Sequence, residues 1–139
     1  MLHEAMARMP HRGAMRLIDQ IVSAKTDRIL CIARAHDAPD YPLRLGGVLH
    51  CATLVELGAQ AAAAHASLFD VGAAHMGVIL SLSNVTIHRD VIDTANHIQV
   101  TADRLHTLNA ASTYGFEVAA AGEILVMGEV LLSIREMPL

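Results

Sequence analysis

The chain has 139 residues, 53% of them hydrophobic and 17% charged, with a formal charge of −4 and nine histidines. That length suits one domain spanning residues 1–139, large enough to bury a core without metal or disulfide staples. The charged fraction falls short of the about 25% of an average domain, which points to apolar surface covered by a second subunit, and the absence of a basic stripe with aromatic partners argues against nucleic acid.

The two cysteines, Cys31 and Cys51, stand far apart and without histidines at zinc spacing. They read as small buried hydrophobes in a reducing compartment. The opening MLHEAMARMPHRG carries a glutamate and two arginines and lacks the apolar core of a signal peptide, so a cytoplasmic location is expected. The stretch from Leu45 to Phe69 is poor in charge but contains His50, Glu56, Gln60 and His65 and is built on alanine and glycine. A membrane span would be rich in leucine and isoleucine, so none is expected.

In chain order, AMRLIDQIVSA (14–24) and RILCIARAH (28–36) alternate as strands do, with a polar turn at Lys25 to Asp27 between them. Residues 37–47, DAPDYPLRLGG, hold two prolines and a glycine pair and form a loop. HCATLVELGAQAAAAHASLF (50–69) then runs about five helical turns without proline, with Asp70 and Gly72 as its stop. Four further strand-like runs follow, GVILSLSNVTIHR, NHIQVTADRLHTL, ASTYGFEVAAA and EILVMGEVLLSIRE, joined by short turns and expected to form an antiparallel meander. Between Arg44 and Asp70 the only Asp, Glu, Lys or Arg is Glu56. A helix so bare is a buried helix, and about six strands curling around it would bury it.

Two segments carry a resemblance to a known family. Pro10-His11-Arg12-Gly13-Ala14-Met15-Arg16-Leu17-Ile18-Asp19 resembles the Pro-His-Arg entry into the first strand of the hotdog-fold β-hydroxyacyl-acyl-carrier-protein dehydratases. Glu56-Leu57-Gly58-Ala59-Gln60-Ala61 resembles their helix motif Glu-x-x-Ala-Gln-Ala. The resemblance implies an α+β hotdog fold, a curved antiparallel sheet wrapped around one long central helix. It also implies a hydro-lyase acting on an acyl-carrier-protein or CoA thioester, and a homodimer or a heterodimer with a related dehydratase. In the typical member a Gly-His-Phe-Pro-Gly segment precedes the glutamate and its histidine works with that glutamate across a dimer; here Tyr41-Pro42-Leu43-Arg44-Leu45 stands in its place. Pro42-Leu43-Arg44 and the helix from Glu56 to His65 are more similar to the dehydratase-like proteins of aryl-polyene biosynthesis clusters.

Removing water from a 3-hydroxyacyl thioester needs a base for the proton next to the carbonyl, an acid for the departing hydroxyl and donors for the developing oxyanion. Glu56 is the expected acid, because desolvation favours its protonated form. Without the resemblance, it would read as a buried glutamate satisfied by Gln60 one turn on or by a backbone group. His36, at the end of the second strand, is the first candidate for the base, and His50, at the helix start, is the second. Six residues separate His50 from Glu56, about 240° around a helix, so a partner subunit would have to bring them together. His65, about 180° from Glu56, reads as a packed helix residue. Gly46, Gly47 and Gln60 are the expected substrate-binding residues, the glycines through backbone N–H groups or simply as a sharp turn. No metal-ligand spacing is present, and neither metal nor organic cofactor is expected. Two other readings remain, a hotdog thioesterase and a non-catalytic subunit paired with an intact dehydratase.

Overall fold

The computed structural model describes residues 16–37, 40–69, 75–92 and 97–136. The Pro10 to Met15 part of the first motif, and the helix stop at Asp70 and Gly72, lie outside them. Strand β1 (Ile18–Lys25) turns at Thr26-Asp27 into β2 (Arg28–Ala33). Helix α1 (Val55–Phe69) follows a single 3-10 turn at Cys51–Leu54, and the chain finishes in β3 (His75–Ile87), β4 (Ile98–Leu108), β5 (Ala111–Ala120) and β6 (Glu123–Glu136).

The six strands form one antiparallel sheet in the order β1-β2-β4-β5-β6-β3. Only β4, β5 and β6 make the meander expected of the last four strands. β3 instead crosses to the far edge and pairs with β6, while β2 takes the place beside β4. Strand order is a matter of which edges meet in space, and alternation within a strand does not encode it. The two hairpins of the meander turn at Asn109-Ala110 and at Ala121-Gly122, with positive φ at Asn109, Ala121 and Gly122. That region suits asparagine and glycine; Ala121 adopts it at a steric cost.

Side chains alternate cleanly where the sheet faces the helix. Ile29, Cys31 and Ala33 of β2, Ile98, Val100 and Ala102 of β4, and Tyr114, Phe116 and Val118 of β5 are all buried. α1 is enclosed on every side, since all residues from Leu57 to Ser67 are buried. Alanine and glycine make this enclosure possible by letting strands approach the helix axis. At Gly58 the approach is tightest: a Cβ there would overlap the ring of Phe116 on β5. Gly58→Ala therefore sets a helix-propensity gain of about 1 kcal/mol against an overpacking cost of about 1–3 kcal/mol. A lowered Tm is the expected result by calorimetry; a raised Tm would show that Phe116 moves aside freely.

One edge of the sheet leaves apolar side chains exposed. Leu82 and Ile87 on β3 pair with Val130 and Val126, both buried on the helix side of β6, so they face the same way. Yet Ile79, Leu82, Val85 and Ile87 remain 37–49% exposed, although α1 also packs against β3. From Met76 to Ile87 this edge strand also holds no charged residue. Natural sheets guard a free edge with charges or proline, and β3 lacks both.

Candidate active site

The glutamate singled out by the sequence lies in the first turn of α1, half-buried, where the enclosed helix opens toward its N-terminal end. Its orientation comes from Gln60, one turn on, whose Nε2 donates to Glu56 Oε1 at 3.1 Å. The other end of that amide is used as well, since Gln60 Oε1 accepts the Leu17 N–H at 2.8 Å. Leu17 O in turn accepts the Arg34 N–H at 2.7 Å. A continuous relay thus ties the Glu56 carboxyl to the start of β1 and the exit of β2. Gln60 is fully buried in the single chain, and its amide holds Glu56.

The exit of β2 carries His36, only 5% exposed. Arg44 straps the loop against it: Arg44 Nε donates to His36 O at 2.7 Å and Nη1 to Gly47 O at 2.8 Å. Gly46 and Gly47 have φ of 57° and 80° and sit between Leu45 and Val48, whose backbone groups exchange hydrogen bonds at 2.9 and 3.0 Å. This is a tight two-residue turn of the type that needs positive φ at both positions, which explains the glycine pair as geometry. Both glycines are exposed.

His50 is half-buried at the start of the 3-10 turn, where its carbonyl accepts from Thr53 N at 3.1 Å and Thr53 Oγ1 at 2.7 Å. The Cys51 N–H that follows is taken by Asp90 O at 2.9 Å. His65 is fully buried, with Nδ1 2.7 Å from Tyr114 Oη and Nε2 2.7 Å from Lys25 O, as befits a packed helix residue. Both cysteines are buried and neither is in a disulfide, and burial pushes the Cys31 thiol up to about 12, which makes it inert. Among the described residues no group of histidine, cysteine and carboxylate side chains is placed to hold a metal, and no helix is long and apolar enough to cross a membrane.

Beside His36 a cavity of about 180 Å³ opens, with Arg34, Asp37 and His97 on its walls. Sequence reasoning passed over Arg34, Tyr41 and His97. Arg34 and His97 come together only because β2 pairs with β4, and Tyr41 is drawn in by the loop that Arg44 closes. Arg44 itself was visible as part of the Pro-Leu-Arg resemblance.

A six-stranded antiparallel sheet wrapped around a buried helix, with a glutamate in the first turn of that helix, defines a hotdog protein of the acyl-thioester class. Residues 4–134 match the family model described as ApeP-like, ApeP dehydratase, and the chain belongs to that family. No curated protein matches it. Among solved structures it is similar to a chain of the dehydratase heterocomplex ApeI:P from Xenorhabdus doucetiae, with a TM-score of 0.78 and 18% identity over 94% of this chain and 91% of the other. It is also similar to AziG of S. sahachiroi, with a TM-score of 0.67 and 20% identity over 88% and 94% of the two chains. A hypothetical thioesterase from Streptococcus pneumoniae TIGR4, solved with coenzyme A, shares a TM-score of 0.67 and 11% identity over 99% and 97%. At these identities the structural likeness shows the fold.

Proposed function

We propose that this chain dehydrates a 3-hydroxyacyl thioester, carried on an acyl carrier protein or CoA, to the 2-enoyl thioester. The observation that carries the reading is the Glu56–Gln60–Leu17 relay, which fixes a half-buried carboxyl at the N-terminal end of a helix buried from Leu57 to Ser67, in a chain of the ApeP-like dehydratase family. In the reaction, His36 takes the C2 proton as base. Glu56, as the carboxylic acid, gives its proton to the C3 hydroxyl; the C3–O bond breaks, water leaves and the C2–C3 double bond forms. His50 is the second candidate for the base, reaching Glu56 from a partner subunit. The backbone around Gly46 and Gly47 and the helix start is the place for the thioester carbonyl. The growing chain of an aryl-polyene type product, rich in repeated dehydrations, fits this chemistry.

The partner we propose is a second hotdog subunit, either a copy of this chain or a related dehydratase as in the ApeI:P heterocomplex, docked on β3. Its sheet would extend the uncharged edge and its helix would cover Ile79, Leu82, Val85 and Ile87. Leu82→Lys places a charge in that contact, and by sedimentation at micromolar concentration the expected result is loss of the dimeric species. Leu82 is about half exposed in the single chain, so folding should be spared; a variant that associates like wild type would sink the docking mode.

The functional test is incubation of the chain, alone and with a related hotdog dehydratase, with a 3-hydroxyacyl thioester. Appearance of the conjugated enoyl absorbance supports dehydration. Free thiol without enoyl product would select a thioesterase, and inactivity alone, with product only in the mixture whatever the state of Glu56, would select a non-catalytic subunit.

A further inference from the structure

Among the described residues, the guanidinium of Arg34 has no hydrogen-bonding partner. Other arginines are engaged: Arg28 with Asp103 at 2.9 and 3.1 Å, and Arg89 with Glu123 at 2.9 Å. Arg44 donates to two backbone carbonyls, and Arg104 to the Tyr114 hydroxyl. Arg34 is half-buried, yet it forms neither an ion pair nor a side-chain hydrogen bond with any described residue. Its contact is with the ring of Tyr41, 5.5 Å from the centroid. That ring is 2% exposed and so forms a fixed platform, which places the guanidinium without satisfying its N–H donors with an oxygen.

Arg34 lines the cavity of about 180 Å³ that His36 also lines, with Asp37 and His97 on the same wall. Asp37 is exposed and makes no ion pair with Arg34, so no bonded carboxylate neutralises the guanidinium there. When a base removes the C2 proton of a thioester, the electron pair left behind moves onto the carbonyl oxygen. The carbonyl carbon is bonded to C2, so the base and the donor that meets this charge must stand side by side. His36 and Arg34 do so by sharing one cavity, and a planar fork of N–H groups with a fixed positive charge suits an oxygen anion. Arg44 joins the carbonyls of His36 and Gly47, so the glycine turn proposed to meet the same oxygen is tied to this wall.

We propose that Arg34 is a catalytic residue of the dehydration: its guanidinium donates to the thioester carbonyl oxygen and stabilises the enolate-like charge that builds there as His36 takes the C2 proton. The pair then returns to close the C2–C3 double bond, the C3–O bond breaks, and the hydroxyl leaves as water with the proton from Glu56. Arg34 keeps its own proton throughout. The inference rests on the proposed dehydration with His36 as its base. A cation binds the charged oxygen of the transition state more strongly than the neutral carbonyl of the substrate, so its effect falls on kcat and not on KM.

The test compares wild type, Arg34→Ala, Arg34→Lys and His36→Ala on a 3-hydroxyacyl thioester in the same oligomeric assembly. Arg34→Ala should lower kcat about 10²- to 10³-fold, the worth of one oxyanion donor, with KM little changed. Guanidinium ion added at low millimolar concentration, far below denaturing levels, should enter the space left by the side chain and restore part of that kcat. It should do nothing for His36→Ala. Arg34→Lys keeps a cation beside the Tyr41 ring and covers the case in which the alanine variant folds badly; a point charge in place of the fork should still cost about 10-fold in kcat. A merely structural arginine would show itself in a lower Tm and folded fraction, with no rescue of the rate. A wild type that makes enoyl product while the Arg34 variants keep their kcat, change only KM, or lose a rate that guanidinium does not restore overturns this inference and leaves the dehydration standing. A wild type that forms no enoyl product under any pairing overturns the functional reading itself, and this inference with it.

Discussion

Glu56→Gln lowers turnover of a 3-hydroxyacyl thioester by about 10²- to 10⁴-fold, the usual contribution of a positioned acid, while the fold stays intact. The amide has nearly the volume of the carboxyl, and its oxygen still accepts from Gln60 Nε2. What disappears is the proton destined for the C3 hydroxyl. If Glu56 were only a satisfied structural residue, the neutral amide would avoid any cost of burying charge, so Tm would hold or rise and the rate would not move. Rate and melting temperature measured on the same preparations separate the two cases. A rate within twofold of wild type would remove Glu56 from the mechanism.

His65→Leu acts on stability instead, with an expected loss of about 2–4 kcal/mol. Lys25 O can only accept, so His65 Nε2 carries the proton that donates to it at 2.7 Å. Nδ1 is then the acceptor, and the Tyr114 hydroxyl donates to it at 2.7 Å. Tyr114 Oη meanwhile accepts from Arg104 Nε at 3.0 Å and Arg104 Nη2 at 2.7 Å. The line Arg104–Tyr114–His65–Lys25 fixes the neutral tautomer and stitches the helix to β4, β5 and the β1–β2 turn. Leucine fills most of the volume and still packs on Phe69, whose ring stacks on His65 at 4.6 Å. It leaves the Tyr114 proton and the Lys25 carbonyl without a partner, at about 1–3 kcal/mol for each group kept from water. At roughly 3–5 °C per kcal/mol for a chain of this size, calorimetry should show a Tm lower by on the order of 10 °C. A change of under one degree would show that the network contributes nothing net. Because His65 lies on the far side of the helix from Glu56, the folded fraction should keep its turnover.

The helix was legible because its signal is compositional: one charged residue, Glu56, in an alanine-rich run of more than twenty positions leaves no solvent-facing side. The strands were legible from alternation, which is a local property of the pleat. Glu56 and Gln60 were legible as a pair because one helical turn places them together whatever surrounds the helix. His65 was legible as a packed residue for the same reason of phase, although its partners were not.

What the tertiary structure alone decided is everything that depends on distant segments meeting. The placement of β3 at the far edge beside β6, and not beside β4, is one such case, and with it goes the row of exposed apolar side chains on that edge strand. The hydrogen bond from Leu17 to Gln60 joins residues 43 positions apart, and the wall shared by Arg34 and His97 exists only through the pairing of β2 with β4. Arg34 is the sharpest instance. As a letter it is a cation at the end of an alternating run; only the Tyr41 ring beneath it and the cavity it shares with His36 mark it. Periodicity and composition report how each segment treats water, which the sequence determines residue by residue. Which polar groups satisfy one another across the core is settled by the packing of the whole sheet on the helix, and that information is carried by distances that no single segment contains.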